Sequence, residues 1–395
     1  PVCGGCISRD QTNPFPVDSE LLSSLRIALV HDYLNQQGGA EKVAEVFCRM
    51  FPGAPIYTSV YDSSAMGPFW RTVDIRTSYM QHLTPRMRIA KAMLPLYPSA
   101  FESFDLSAYD LVLSSSSTFA KGVITKPETC HVCYCYTPTR FAWMYSEYVA
   151  REAFPAAVKT LLPLVVAPLR VWDYAAAQRV DHFIGISKAV AARIEKWYRR
   201  EAQVIEPPID VSEYSIAGRL GDYFLVLSRL QPYKRIDLAV EACSTLQARL
   251  VVAGDGPDRA RLESLAGPTV EFLGRVSEAE AQRLLSECRA LVWPGEEDFG
   301  LAPVETQAAG RPVIAFGAGG ALETVVDGET GVFFTPQTAE ALTQVIANFD
   351  DRRYSPERCR ANAARFDIQT FVEKMTLILE EAYRSHTSRF QIAGR

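Results

Sequence analysis

Short apolar runs recur along the chain, each emptying into a Gly-, Ser- or Pro-containing turn and many followed by a stretch with helical spacing. Runs of this length bounded by turn residues predict strands, and their alternation with helical patterns predicts doubly wound α/β units. In the first half the strands fall at Leu25 to Val30, Tyr109 to Leu113, His131 to Tyr136, within Asp181 to Ser187, and around Val204-Ile205. Helices are expected from Ala40 to about Arg49, across 151–180 with breaks at the prolines, and from Lys188 to Tyr198 with Ser187 as N-cap. The second half repeats the pattern. Its strands are Tyr223 to Leu227, Leu250 to Ala253, Val270 to Leu273, Leu291 to Pro294 and Val313 to Phe316. Ile236 to Cys243 is helical, a further helix begins near Pro303 and ends at Gly310-Arg311-Pro312, and a last one covers about Ile368 to Arg384.

A chain of 395 residues suits two domains, each able to bury a core. The expected division is a disordered leader over 1–22, an N-terminal Rossmann-like domain over 23–205, a linker over 206–219 marked by Pro207-Pro208, a C-terminal Rossmann-like domain over 220–367, and a final helix and tail over 368–395. Hydrophobic content of 48% and charged content of 22% describe an ordinary globular protein, and a net charge of −5 argues against a nucleic-acid partner. No stretch has the apolar length of a membrane span, and the first residues lack the pattern of a secretory signal. Nine cysteines, an odd number, suit a reducing cytoplasm. Cys3 and Cys6 have zinc-like spacing without a second pair, whereas Cys133 and Cys135 alternate with Val132, Tyr134 and Tyr136 as one face of a buried strand. Between Phe69 and Lys91, five basic residues face the single acid Asp74, with Trp70, Tyr79, Met87 and Ile89 interleaved. That stretch reads either as a surface for an anionic membrane or as a solvated helix with a core-facing stripe.

The candidate chemistry centres on Glu297-Asp298-Phe299-Gly300-Leu301-Ala302-Pro303-Val304-Glu305. Two carboxylates lie eight positions apart, Glu297 on a loop and Glu305 near a helix N-terminus. Both can face one pocket and grip sugar hydroxyls, while the amides of Phe299, Gly300 and Leu301 can meet a phosphate. Any two glutamates at this spacing also read as a surface acid and a helix-cap acid. Agreement among strand ends is the stronger observation. Arg229 and Lys234, then Gly274-Arg275-Val276, then Glu297 with Glu305 each follow the carboxyl end of an expected strand, where ligands bind in such sheets. Gly38-Gly39 follows the first strand, but without the G-x-G-x-x-G fingerprint of a dinucleotide site, and a plain tight turn explains it equally well.

The same residues carry a resemblance. E-D-F-G-L-x-P-V-E, the following A-x-G-x-P-V-I-A and G-A-G-G-x-x-E-T-V, with Ser228 to Arg235 and Ala253 to Pro257 upstream, resemble the retaining nucleotide-sugar glycosyltransferases of family 4 over roughly 25–375. The stretch His131 to Trp143 is similar to the bacterial branch that builds lipopolysaccharide and exopolysaccharide. This resemblance implies a GT-B fold, two Rossmann-like domains facing across a cleft, with acceptor on the first and nucleotide sugar on the second. It implies that Arg229 and Lys234 hold the diphosphate in place of a metal, that Glu297 holds the transferred sugar and Glu305 the ribose, and that Gly274 to Val276 lie beside the base. Gly38 and Gly39 would approach the donor phosphates from the opposite domain, and Tyr136 and Arg140 would lie on the acceptor side, although Arg140 reads equally as a surface ion-pair partner. Tyr136 stands where the branch has a histidine, and a phenol cannot act as an imidazole does.

The implied reaction is retaining transfer of a hexose, by analogy mannose from GDP-mannose, to a glycan or polyprenyl-linked acceptor in cell-surface polysaccharide synthesis. It would run in the cytoplasm or at the cytoplasmic face of the membrane, without cofactor or metal; no Asp-x-Asp motif is present. Negative charge grows on the departing diphosphate, so cations and backbone donors placed there lower the barrier most. The alternatives are a UDP-sugar donor, a sugar-phosphate synthase, and a catalytically inactive nucleotide-sugar-binding protein, the last favoured by Tyr136.

Overall fold

The apolar runs assemble into two sheets in which every strand pair described is parallel. The computed structural model describes Phe15 and residues 17–83, 91–145, 156–218 and 220–393. In the first sheet β1 is Ile27–His31, β2 Ile56–Thr58, β3 Ile75–Thr77, β4 Leu111–Ser116, β5 Cys130–Cys135, β6 His182–Gly185 and β7 Ala202–Val204, in spatial order β3-β2-β1-β4-β5-β6-β7. In the second β8 is Phe224–Leu227, β9 Leu250–Ala253, β10 Val270–Gly274, β11 Ala290–Trp293, β12 Val313–Phe316 and β13 Gly331–Phe334, in order β10-β9-β8-β11-β12-β13. Both orders run outward one way from β1 or β8 and then resume on its other side. The carboxyl ends of β8 and β11, neighbours at that reversal, are therefore where a doubly wound sheet binds its ligand.

The chain divides into two compact units, one of residues 1–133, 176–182 and 372–395, the other of 134–175 and 183–371, the division passing through β5. The core of the second sheet packs Val226, Val252, Val292 and Ile314 against Leu238 and Val240 of the helix Ile236–Leu246 and Leu342 and Ile346 of the helix Ala339–Ala347. Full burial of each such side chain contributes about 1.5–3 kcal/mol relative to exposure. β8, β9, β11 and β12 are buried almost throughout, which is why they read as continuous apolar runs rather than as alternation.

Several expectations change. The 69–91 stretch is not a helix over its described part: 3₁₀ turns at Pro68–Arg71 and Tyr79–His82 flank the edge strand β3. Its Arg76 pairs with Asp74 at 2.9 Å and donates to the Tyr57 and Tyr109 hydroxyls, and its Trp70 is buried. Arg86, Arg88, Met87 and Ile89 lie outside the described residues, as do Cys3 and Cys6. The helix Ala156–Gln178 runs through Pro163 and Pro168 rather than stopping at them. Both prolines are exposed, so the carbonyls that lose their bonds can turn to water. A short helix, Glu20–Ser24, overlaps the expected leader; Ser19 caps it and Leu22 is buried. The final helix extends to Ala393. No helix among the described residues is long and apolar enough to cross a membrane.

His131, on β5 of the first sheet, is fully buried, with Nε2 2.9 Å from the Ser114 hydroxyl. Burial pushes its pKa down to about 4. The unfolded chain takes up this proton near pH 6.5 and the folded chain only near 4, so the stability is present above the first value and lost as pH falls through the second. His131→Gln is expected to remove about 3 kcal/mol of acid sensitivity across that window. Urea titrations at pH 7 and at pH 4 check it; an unchanged difference between the two would show that neutral-ring burial is not the source.

Candidate active site

Within the second unit, the residues singled out on the donor side lie on the loops after β8, β10 and β11 and on the helix Leu301–Ala308 that follows the last of these. The loop after β8 crosses the loop after β9 backbone to backbone: Ser228 N–H donates to Ala253 O at 3.1 Å and Leu230 N–H to Asp255 O at 3.0 Å. Position 254 must be glycine there, because its φ is +136° and a Cβ would lie 1.8 Å from the Ser228 carbonyl oxygen. This crossing sets where Arg229 leaves the sheet. Arg229 is exposed and, among the described residues, forms no ion pair. Pro232–Lys234 then makes a 3₁₀ turn that delivers Lys234 onto Glu297, its Nζ bonded to Oε1, with both side chains mostly buried. The ammonium also lies 5.1 Å from the Trp293 ring centroid and 5.3 Å from that of Tyr233, within cation–π range.

The Glu297 loop has no regular structure, and two devices shape it. First, the Gly317-Ala318-Gly319-Gly320 turn packs on its backbone: Gly320 N–H donates to Glu297 O at 2.8 Å, and a Cβ at 320 would stand 2.3 Å from Phe299 Cα. Second, Asp298 is buried between two arginines. Its Oδ2 lies 2.5 Å from Arg140 Nη2, and its Oδ1 binds Arg193 Nη1. Burial works against its charge, but Arg140 and then Arg193 outweigh that and hold the carboxyl below its usual range. Phe299 turns into the core, edge-on to Phe366. Gly300, at φ +87°, then starts the helix Leu301–Ala308. Glu305 is half-buried in the second turn of that helix and accepts from the hydroxyl of buried Tyr214. Arg360 fixes Tyr214 by donating to its carbonyl at 2.6 Å and to those of Ala308 and Val211.

Gly274 ends β10 at φ +71°, and its carbonyl accepts from Gly254 N–H at 2.7 Å; Arg275 is exposed and Val276 half-buried. Tyr136 follows β5, buried and edge-on to Tyr134 at 5.5 Å. Arg140, expected on the acceptor side, makes the Asp298 ion pair. In the first unit, Gly38 caps the helix Gly39–Met50 in extended backbone, with Glu41 buried in the first turn. The structure thus brings Lys234 and Glu297 together and pairs Arg140 with Asp298, the residue after Glu297. Sequence reasoning missed Arg193, Tyr214, Arg360 and Trp293. It also assigned nothing to Glu323, whose carboxylate accepts from Lys188 N–H at 3.0 Å and so caps the helix Lys188–Tyr198. Only Glu323 carried a signal, through its place in the G-A-G-G-x-x-E-T-V run.

Residues 221–366 match the family Glycosyl transferases group 1. The chain is 26% identical over 212 residues to an uncharacterized glycosyltransferase of Methanocaldococcus jannaschii, covering 51% of this chain and 60% of that protein. It is 34% identical over 151 residues to a GDP-mannose-dependent alpha-(1-6)-phosphatidylinositol dimannoside mannosyltransferase of Mycobacterium tuberculosis, covering 36% of this chain and 38% of that one. The chain thus spans 60% and 38% of the length of these relatives. Anabaena HepE, solved in complex with UDP and glucose, superposes with a TM-score of 0.65 over 90% of this chain and 100% of that one, at 18% identity. The fold is GT-B, as the resemblance implied.

Removing one partner of a buried ion cluster leaves the others uncompensated, which costs about 3–5 kcal/mol when all are buried. Arg140 and Arg193 are 38% and 19% exposed, so about 2 kcal/mol, or a Tm lower by about 5 °C, is expected for Asp298→Asn. Asp222→Asn, which breaks an exposed pair with Arg249, is the control and should shift Tm by less than about 1 °C. Equal shifts in the two variants would remove the clamp from the account.

Proposed function

We propose that this protein is a retaining, metal-independent glycosyltransferase that moves a hexose from a nucleotide sugar to a glycan or lipid-linked acceptor. The observation that carries the reading is the set Arg229, Lys234 and Glu297 at the reversal of the second sheet, inside the region matched to Glycosyl transferases group 1. GDP-mannose is the preferred donor, supported by the mannosyltransferase relative; the UDP bound by HepE supports a UDP-sugar as the second reading.

In this reading the diphosphate meets Arg229 first, because that guanidinium is exposed and, among the described residues, engaged by no carboxylate. Lys234 then exchanges the Glu297 carboxylate for phosphate oxygens, and Glu297, released, accepts from hydroxyls of the transferred sugar. The two cations offset the charge that develops on the leaving diphosphate, where such stabilisation counts most. Glu305, held by Tyr214, accepts from the ribose, and the backbone amides from Phe299 to Leu301 face sugar and phosphate. Gly274 to Val276 border the base. In the first unit, the amides opened by Gly38 and Gly39 offer a helix N-terminus suited to an anion. Tyr136 contributes a hydroxyl in place of an imidazole on the acceptor side.

A thermal-shift panel of GDP, UDP, ADP and dTDP tests this on wild type, Arg229→Ala and Glu297→Gln. One nucleotide should stabilise the wild type, with the shift lost in Arg229→Ala. Glu297→Gln should bind that nucleotide at least as tightly as wild type, since Lys234 is no longer held, while hydrolysis and transfer of the sugar fall by about 100-fold. Folded protein that binds a nucleotide but never hydrolyses its sugar would establish the inactive-binder alternative; no shift with any nucleotide would reject the donor site.

A lipid-linked acceptor calls for contact with a membrane surface. Arg76 of the 69–91 stretch is committed to Asp74 and two tyrosines, so we place that contact instead on the helix Ala156–Gln178. Leu161, Leu164 and Val171 there are 61%, 72% and 71% exposed, and the segment 156–172 carries Lys159 and Arg170 but no acid. Flotation with anionic vesicles should carry the protein upward and lose it in Leu164→Glu/Val171→Glu. Wild type that stays at the bottom of the gradient rejects this contact.

A further inference from the structure

His386 is buried on the helix Ile368–Ala393, and its Nε2 lies 2.9 Å from the Pro127 carbonyl oxygen. A carbonyl only accepts, so Nε2 carries the hydrogen and Nδ1 is the atom turned to Asp181, 3.4 Å from Oδ1. The Sγ of buried Cys130, the first residue of β5, completes a group of three donor atoms within 4.8 Å of one another. The other carboxylate oxygen of Asp181 accepts from the backbone N–H of His131 at 2.8 Å. All three residues belong to the first unit, and the mechanism above uses none of them.

We propose that Cys130, Asp181 and His386 form a structural site for a zinc-class divalent cation. One thiolate, one imidazole nitrogen and one carboxylate oxygen are the donors such a cation takes, with bonds of about 2.0–2.3 Å and water at a fourth position. Those bonds imply edges of roughly 3.5 Å, so the donors close by up to about 1.3 Å. The surroundings are those of a ligating set: the second nitrogen of the histidine donates to a backbone carbonyl, and the second oxygen of the carboxylate is fixed by a backbone N–H. Charge balances as well, because a dication with one thiolate and one carboxylate leaves the buried cluster neutral. On binding, the Cys130 S–H bond breaks, a sulfur–metal bond forms, and the proton passes to solvent with the waters the cation sheds. Burial and the charge of Asp181 keep the thiol protonated until a cation arrives, while Arg389 favours the thiolate. The cation would join the start of β5, the turn before β6 and the last helix, segments up to about 250 residues apart. Its rival is a plain ion pair between His386 and Asp181 with Cys130 a packed thiol.

Cobalt distinguishes the two. Full-length protein carrying Cys3→Ser and Cys6→Ser, treated with chelator and dialysed, is titrated with Co²⁺. One equivalent should bind with a near-ultraviolet thiolate-to-cobalt band, and Zn²⁺ should abolish the band and raise Tm. Cys130→Ser should remove the band, and Asp181→Asn should weaken Zn²⁺ binding by at least about 10-fold. Folded parent protein that retains no Co²⁺ or Zn²⁺ in equilibrium dialysis overturns the proposal whatever the variants do. Retention of the band in Cys130→Ser overturns it too.

Discussion

A carboxylate out of water must be paired or it gives up its charge, and in this protein the carboxylate that matters is that of Asp298. Glu297 and Phe299 flank it on a loop without regular hydrogen bonding, so the position of Glu297 follows from where Asp298 is held. Arg140 and Arg193 come from segments more than a hundred residues upstream, and the loop is correspondingly defined by parts of the chain that local sequence does not mention. The glycines at 319 and 320 act from the other side, admitting backbone where any side chain would collide. Sterics and charge thus fix the same loop independently.

Helices and long strands were legible because their signals are local. Lys188–Tyr198, Leu250–Ala253 and Val313–Phe316 fall where the pattern put them, each bounded by a cap, a glycine or a proline. β2 and β3 were not: three residues are too few to show a period, and only pairing to β1 and β2 makes them strands. The basic run containing β3 was not recognised as a strand, because Arg71, Arg76 and the apolar residues between them fit a membrane-facing surface or a solvated helix as well as they fit an edge strand with turns.

The site was legible in its own residues and silent in their supports. Arg229, Lys234, Glu297 and Glu305 stand at strand ends and a helix start, which sequence marks. Tyr214 and Arg360, which hold Glu305 and the segment before β8, carry no marker at all, since an arginine donating to three carbonyls looks like any surface arginine. Arg140 shows the converse. Read either for the acceptor side or as a surface ion-pair partner, it is paired with Asp298 in this structure.

The bond between Lys234 and Glu297 has a consequence for discrimination. A binding site that satisfies its own charges when empty is not waiting for any one of them. An isolated phosphate that took Lys234 would strand Glu297, and a free sugar that took Glu297 would strand the ammonium between two aromatic rings. Only a molecule carrying anion and polyol in one frame would replace both partners at once, so in the proposed reading the Lys234–Glu297 pair would work as a coincidence detector that lets the abundant half-ligands of a cell pass by.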